Sequence, residues 1–135
     1  MQITRIFHSG FLVETAKRYF IFDYYKGELP KLNPDKPVYV FASHGHQDHY
    51  EPKVFELLKQ QGIVPKLAIL AKDIKEKKYP DVIPVLKAGF HAHYEIEADF
   101  LVDTFHSTDA GVAYLVTCGE GKIYHAGDLH DWVFD

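Results

Sequence analysis

Three histidines and an aspartate lie within six consecutive residues of the segment SHGHQDHY, positions 43–50. His44 and His46 are two residues apart, so in an extended segment both imidazoles leave the same face and can reach one ion. Asp48 and His49 follow, and because adjacent side chains point in different directions, they could hold a second ion. Imidazole and carboxylate are ligands that zinc, iron and manganese accept. A lone His-x-His pair is more often an ordinary loop, whereas this fuller pattern predicts a metal site.

The segments on either side of the cluster must position it. VYVFAS, residues 38–43, is an almost uninterrupted apolar run, typical of a strand buried on both faces, and it leads straight into the cluster. Pro52 suits the first turn of a following helix. The apolar stripe of that helix is predicted to comprise Val54, Phe55, Leu57 and Leu58. KLAIL (66–70) predicts a second buried strand, and the charged stretch KDIKEKK (72–78) predicts a short helix with a solvated face.

Short strands dominate the rest of the chain. They are predicted over residues 2–8, 11–15, 18–24, 82–86, 90–96, 98–106, 112–118 and 122–127. The Pro- and Lys-rich residues 26–37 predict a loop. A group of strands, a strand–loop–helix unit and a second group of strands together predict an α/β protein of the α+β type, with two sheets packed face to face and helices outside.

Length and composition restrict the possible classes of protein. A chain of 135 residues, 47% hydrophobic and 25% charged, suits one globular domain spanning residues 1–135. The net charge of −4 argues against nucleic acid as a partner. No stretch approaches the roughly 18 apolar residues of a membrane span, so we expect no membrane partner. Cys118 is the one cysteine, which favours a reducing, cytoplasmic location.

The segment HGHQDH resembles the signature of the metallo-β-lactamase superfamily. TFHSTDAGVAYLV supplies His106 where that superfamily has a later histidine ligand, and KIYHAGD supplies Asp128 where it has a bridging aspartate. YFIFDY places Asp23 where the family keeps an acidic residue beneath the ligands. FHSGFLVET is similar to the opening hairpin of the branch of metal-dependent hydrolases. The resemblance runs from about residue 6 to residue 130.

This resemblance implies an αββα sandwich with mixed β-sheets and a mono- or dinuclear zinc-type site, for which manganese or iron would also be suitable. The implied ligands are His44, His46 and His106 for one ion and Asp48, His49 and Asp128 for the other. The implied reaction is the hydrolysis of an ester, thioester, amide, lactone or phosphodiester bond in a small molecule. Asp48 is the implied catalytic residue, which orients the attacking water or passes a proton to the leaving group.

The family's last histidine motif has no match, so we expect a C-terminally incomplete form of the domain. The missing ligand could come from His130, from another chain, or from sequence that a shortened chain lacks, and we favour the last. An alternative function is that of a non-catalytic fragment that binds metal without turnover. Missing closing strands would expose the edge of 112–118 or 122–127 and an apolar face meant for a helix, which predicts a homo-oligomer.

Three residues around the cluster have two possible roles each. His8 could contact substrate or stabilise a turn. Asp109 could touch substrate, but an aspartate in such a loop more often bonds backbone N–H groups of its own turn. Asp23 is better placed to accept the far N–H of a metal-bound imidazole than to bind the metal.

The remaining histidines are given structural roles. His91 and His93 repeat the two-residue spacing without an Asp-His pair after it, so we expect them to share one face of a strand. His125 precedes the AGD segment on a strand, where we expect it to be packed or to support a ligand.

Overall fold

A computed structural model describes residues 1–6, 10–45, 50–75, 78–106, 111–125 and the strand path of 131–134. Its strands are β1 Gln2–Arg5, β2 Phe11–Glu14, β3 Tyr19–Phe22, β4 Val38–Ala42, β5 Leu67–Ala71, β6 Val85–Ala88, β7 His93–Glu97, β8 Phe100–His106, β9 Val112–Cys118, β10 Gly121–His125 and β11 Asp131–Phe134. The helix α1 spans Lys53–Gln60. Within these ranges no helix has the length and apolar character needed to span a membrane.

The first sheet contains β1 to β6 in sequence order. β1, β2 and β3 form the antiparallel meander that the sequence predicts, whereas β3, β4, β5 and β6 run parallel. Every residue of β4 is buried, as its uninterrupted apolar sequence predicts. Because β3 to β6 are parallel, their carboxyl ends meet at one edge of the sheet.

The second sheet is antiparallel, in the order β11-β10-β9-β8-β7. β11 was not expected from the sequence, and its backbone pairs with β10 over four residues. The edge of β9 or of β10 was expected to be open, and this expectation was wrong, because β8 and β10 flank β9 while β11 pairs with β10. The homo-oligomer then rests on the apolar face alone and stays a prediction.

Two apolar layers hold the fold together. An aromatic core between the sheets includes Phe20, Phe41, Phe100 and Tyr114. A second core lies on the other face of the first sheet, where α1 packs. The predicted stripe of α1 is confirmed: Val54, Phe55 and Leu58 are buried and Leu57 packs against them. The two predicted sheets therefore pack face to face, and the predicted outer helix lies on the first sheet.

Three local predictions were wrong. Residues 72–75 form a turn rather than the start of a helix, because the N–H of Ile74 donates to the carbonyl of Ala71. Ile74 is the one buried apolar side chain among these four residues, so they have no apolar stripe for a helix to bury. The strand predicted over 82–86 lies further along as β6, since Pro84 has no N–H for a ladder. His91 and His93 do not share a strand face: His91 lies in a turn with φ 52° and β7 begins at His93.

A buried cation ties the two sheets together near the start of β3. Arg18 is 5% exposed, its guanidinium donates to Glu97 and Asp99 at 2.6 Å each, and it lies over the ring of Phe100. Lys66 donates to the second oxygen of Glu97 at 2.8 Å. The hydrogen bond from Arg18 lowers the pKa of Asp99 to about 2, and those from Lys66 and Arg18 lower the pKa of Glu97.

Candidate metal centre

The candidate site lies at the edge where the carboxyl ends of the parallel strands meet. Asp23 directly follows β3, and Ser43 and His44 follow β4. Lys72 and Asp73 follow β5. Polar side chains thus leave three neighbouring strands of the first sheet at the same edge, although they are 20 or more residues apart in sequence.

His44 is buried, with 1% of its surface exposed, and the second sheet packs against it. The backbone N–H of Val112, the first residue of β9, donates to the carbonyl of Ser43 at 2.7 Å. A Cβ on Gly111 would lie 2.4 Å from Cδ2 of His44 and 2.8 Å from the carbonyl oxygen of Ser43. Glycine at position 111 therefore permits the close approach of β9 to the histidine.

His106 reaches the same edge from the second sheet. It is the last residue of β8 and pairs with Val112, whose N–H bonds to Ser43, the neighbour of His44. The residue is exposed, and its ring lies edge-on to the ring of Phe90, with 4.6 Å between ring centroids. The fold thus brings two of the predicted ligands, far apart in sequence, to one end of the sandwich.

Asp23 supports the chain beside His44 from within the core. It is fully buried, its Oδ1 accepts the backbone N–H of Ser43 at 2.7 Å, and its Oδ2 accepts the Ser43 hydroxyl at 2.6 Å. Its φ of 48° is uncommon for a residue other than glycine, and aspartate is among the residues that best tolerate it. Nε2 of His125 lies 2.9 Å from Asp23 Oδ2, so the packed position predicted for His125 is confirmed.

Sequence reasoning missed two further residues at this edge. Asp73 Oδ2 accepts the backbone N–H of Gly45, the residue between the first two histidines, at 2.9 Å. Tyr114 is buried and donates its hydroxyl to the carbonyl of Ala42 at 2.8 Å, and burial raises its pKa well above the usual value. Asp73 belongs to the alternating charges that predicted a solvated helix, and Tyr114 to an ordinary apolar strand, so neither pattern signals a role at the site.

The other predicted site residues lie outside the described residues. They are His8, His46, Asp48, His49, Asp109, Asp128 and His130. Within the described ranges no group of three metal-binding side chains comes together. His44 and His106 are the described members of the predicted ligand set, and imidazole is a ligand that zinc, iron and manganese accept.

The sequence model of the family described as "Beta-lactamase superfamily domain" matches residues 2–133, nearly the whole chain. The chain belongs to the beta-lactamase superfamily. The family predicted from the segment HGHQDH is therefore confirmed.

Two curated proteins that resemble this chain come from species of Pyrobaculum. A protein of Pyrobaculum calidifontis named "UPF0173 metal-dependent hydrolase" is 27% identical over 139 residues, which cover 95% of this chain and 61% of that protein. A protein of the same name from Pyrobaculum arsenaticum is 26% identical, with the same two coverages. The chain thus spans about three-fifths of the length of the curated relatives it matches.

Two solved structures share the superfamily fold with this chain. Igni18, a metallo hydrolase from Ignicoccus hospitalis, matches with a TM-score of 0.64 and 16% identity over 93% of this chain and 59% of that one. A possible metal-dependent hydrolase from Veillonella parvula matches with a TM-score of 0.64 and 15% identity over 95% of this chain and 63% of that one. These matches confirm the predicted sandwich.

Proposed function

We propose that this chain is a metal-dependent hydrolase that uses a mono- or dinuclear zinc-type site to activate water against a small molecule. The observation that carries the proposal is the convergence of His44 and His106, from different sheets, on one edge of the sandwich. The names of the curated relatives, metal-dependent hydrolases, support the same activity. The scissile bond is an ester, thioester, amide, lactone or phosphodiester.

The proposed ligands are those implied by the resemblance. His44, His46 and His106 would hold one ion, and Asp48, His49 and Asp128 a second. Zinc is favoured by a set rich in imidazole, although manganese and iron accept the same donors. When bound, the metal would lower the pKa of a water molecule and polarise the bond under attack.

The chain's own residues would supply orientation and proton transfer. Asp23 fixes Ser43 through two hydrogen bonds, so the backbone that carries His44 is held before any ion arrives. Asp73 holds the next residue of that backbone, Gly45. Asp48 is proposed to orient the attacking water and to pass a proton to the leaving group.

Metal content and hydrolysis measured together test this function. The purified chain would be freed of metal with a chelator, reloaded with zinc, and assayed on chromogenic esters, thioesters, lactones and phosphodiesters. We expect hydrolysis of at least one class that appears with zinc and disappears with the chelator. Zinc binding without turnover of any class would favour the non-catalytic fragment instead.

Matched histidine variants identify the residues responsible. His106→Ala should lower the rate at least about 100-fold, since removing a ligand disrupts the site. His91→Asn removes another exposed imidazole close to β7 and should leave the rate unchanged, because asparagine tolerates the positive φ of this position. Equal losses in the two variants would contradict the assignment of His106.

We propose a small-molecule substrate and a cytoplasmic location, without a nucleic-acid or membrane partner. The acidic net charge supports the absence of a nucleic-acid partner. The buried, unpaired thiol of Cys118 supports a reducing compartment.

A further inference from the structure

A cavity of about 270 Å³ opens beside the candidate metal centre, between the two sheets. Its apolar lining consists of Ala71, Ala88, Phe90 and Val112. Two of these residues touch the site itself: Phe90 packs against the ring of His106, and Val112 bonds to the carbonyl of Ser43. A molecule in this cavity would therefore contact residues that themselves touch the proposed ligand His106 and the neighbour of His44.

The same cavity contains one cationic side chain, that of Lys72. A Cβ on Gly89 would lie 3.2 Å from both Cε and Nζ of Lys72, so the ammonium group lies directly over the bare backbone of that glycine. In the described part of the chain, no carboxylate lies within ion-pair distance of Lys72. Its charge is thus available to a bound molecule.

Asp73 is the one carboxylate that lines the cavity, and it has another partner. Its Oδ2 accepts the N–H of Gly45 at 2.9 Å. It also lines a neighbouring cavity of about 240 Å³, together with Lys75 and Lys78. The turn that follows β5 therefore places lysines on both sides of Asp73, around the site, in the stretch that the sequence predicted to be a solvated helix.

We propose that Lys72 binds an anionic group of the substrate, a carboxylate or phosphate, while the apolar lining takes the adjoining carbon skeleton. This assignment of substrate class rests on the proposed hydrolase function and adds a specificity-determining residue to it. An ammonium group against an apolar wall discriminates strongly between an anion and its neutral isostere, because the charge-assisted bond forms where water is partly excluded. The cavity, at about 270 Å³, lies just below the usual range for ligand pockets, roughly 300–1,000 Å³, which indicates a small acid.

Benzoate and benzamide test the proposal without requiring turnover, because they have similar shapes and differ in charge. Binding to the metal-free chain would be followed through the amide NMR signals of Gly89 and Val112. We expect benzoate to shift both signals saturably and to bind roughly tenfold more tightly than benzamide. Inorganic phosphate should shift Gly89 more weakly than benzoate, since it lacks an apolar part. Equal affinities for benzoate and benzamide, or no saturable shift, would overturn the proposal.

Lysine variants locate the charge that is responsible. Lys72→Met should remove the preference for benzoate, and Lys72→Arg should retain most of it. Lys75→Met removes the same charge three residues away, outside this cavity, and should retain the preference. A loss in Lys75→Met equal to that in Lys72→Met would contradict the placement in this cavity.

A final comparison separates this proposal from the hydrolase function. The zinc-loaded chain would be assayed on half-esters that carry a free carboxylate or a phosphate and on their neutral counterparts. We expect it to prefer an anionic ester. Lys72→Met should lose that preference through a higher KM for the anionic ester, with kcat unchanged. Hydrolysis of neutral and anionic esters at equal efficiency would refute the role of Lys72 alone. Selective benzoate binding by a chain that takes up no zinc on reloading and hydrolyses neither kind of ester would refute the hydrolase function alone.

Discussion

Nε2 of His125 lies 2.9 Å from Oδ2 of Asp23, and this contact joins the two sheets next to the candidate ligand His44. The imidazole comes from β10 and the carboxylate from the end of β3. Both side chains are almost completely buried, and the same carboxylate fixes Ser43. The edge of the sandwich that carries the candidate site is therefore held from inside by a polar network.

Asp23→Asn should destabilise this network without introducing backbone strain, because asparagine also tolerates a positive φ. The substitution removes the charge and one acceptor from a buried set of bonds, so we expect the free energy of unfolding to fall by about 1–3 kcal/mol. Urea titration measures this change. Asp35→Asn, on an exposed loop, is the control and should have almost no effect. A variant as stable as the wild type would contradict the role of Asp23.

Gly111→Ala should displace His44, since the added methyl group would lie 2.4 Å from its Cδ2. We expect a loss of about 1–3 kcal/mol in the free energy of unfolding and weaker zinc binding. Gly119→Ala is the matched control, because a Cβ there meets Asp99 at an ordinary 3.6 Å. Zinc affinity measured against a competing chelator should fall in the first variant and not in the second. Equal affinities would show that the close approach at Gly111 has no consequence for the site.

Asp73→Ala should weaken metal binding more than it weakens the fold. Its bond to Gly45 is exposed, so its loss costs little stability, but the backbone between the first two histidines would lose its support. We expect zinc affinity to fall roughly tenfold. Asp81→Ala, exposed and outside both cavities, is the control. An unchanged zinc affinity in Asp73→Ala would show that Asp73 does not support the metal site.

Acid should weaken the ion cluster around Arg18. Asp99 has its pKa lowered to about 2, and the pKa of Glu97 is also lowered. Both carboxylates therefore stabilise the fold fully at pH values above the ordinary carboxyl pKa of about 4. That contribution is lost as the pH falls toward the folded-state pKa. Arg18→Met should therefore be less stable than the wild type at neutral pH, and the gap should narrow between about pH 5 and pH 2.

Urea titrations across that range measure the gap between the wild type and Arg18→Met. Lys66→Met is the control, because Lys66 is exposed and contacts Glu97 alone within the cluster. It should give a smaller gap at neutral pH. Parallel stability curves for wild type and Arg18→Met would show that the two carboxylates do not couple to Arg18 in the folded state.

The elements that sequence reasoning recovered are those with local signals. β4 follows from an unbroken apolar run, and α1 from apolar residues at helical spacing after Pro52. The sequence also identified His44 and His106 as candidates, through motifs, and the fold brings them to the same edge. Patterns that depend on neighbouring residues alone were sufficient for these elements.

The features that were missed depend on tertiary contacts. Nothing in KDIKEKK indicates that Asp73 turns toward Gly45, 28 residues away. β11 is a short strand whose position depends on pairing with β10. The strand predicted from residue 90 begins only at His93, because His91 has a left-handed backbone and lies in a turn. An apolar pattern does not show the φ of a single residue.

Metal content tests the central claim most directly. The purified chain would be dialysed to remove loosely held ions and analysed for zinc, manganese and iron, beside His106→Ala and His91→Asn. We predict about one or two tightly bound ions per chain in the wild type and in His91→Asn, and a clear loss in His106→Ala. A wild-type chain without bound metal, or a His106→Ala variant with its full complement, would contradict the assignment of this edge as a metal centre.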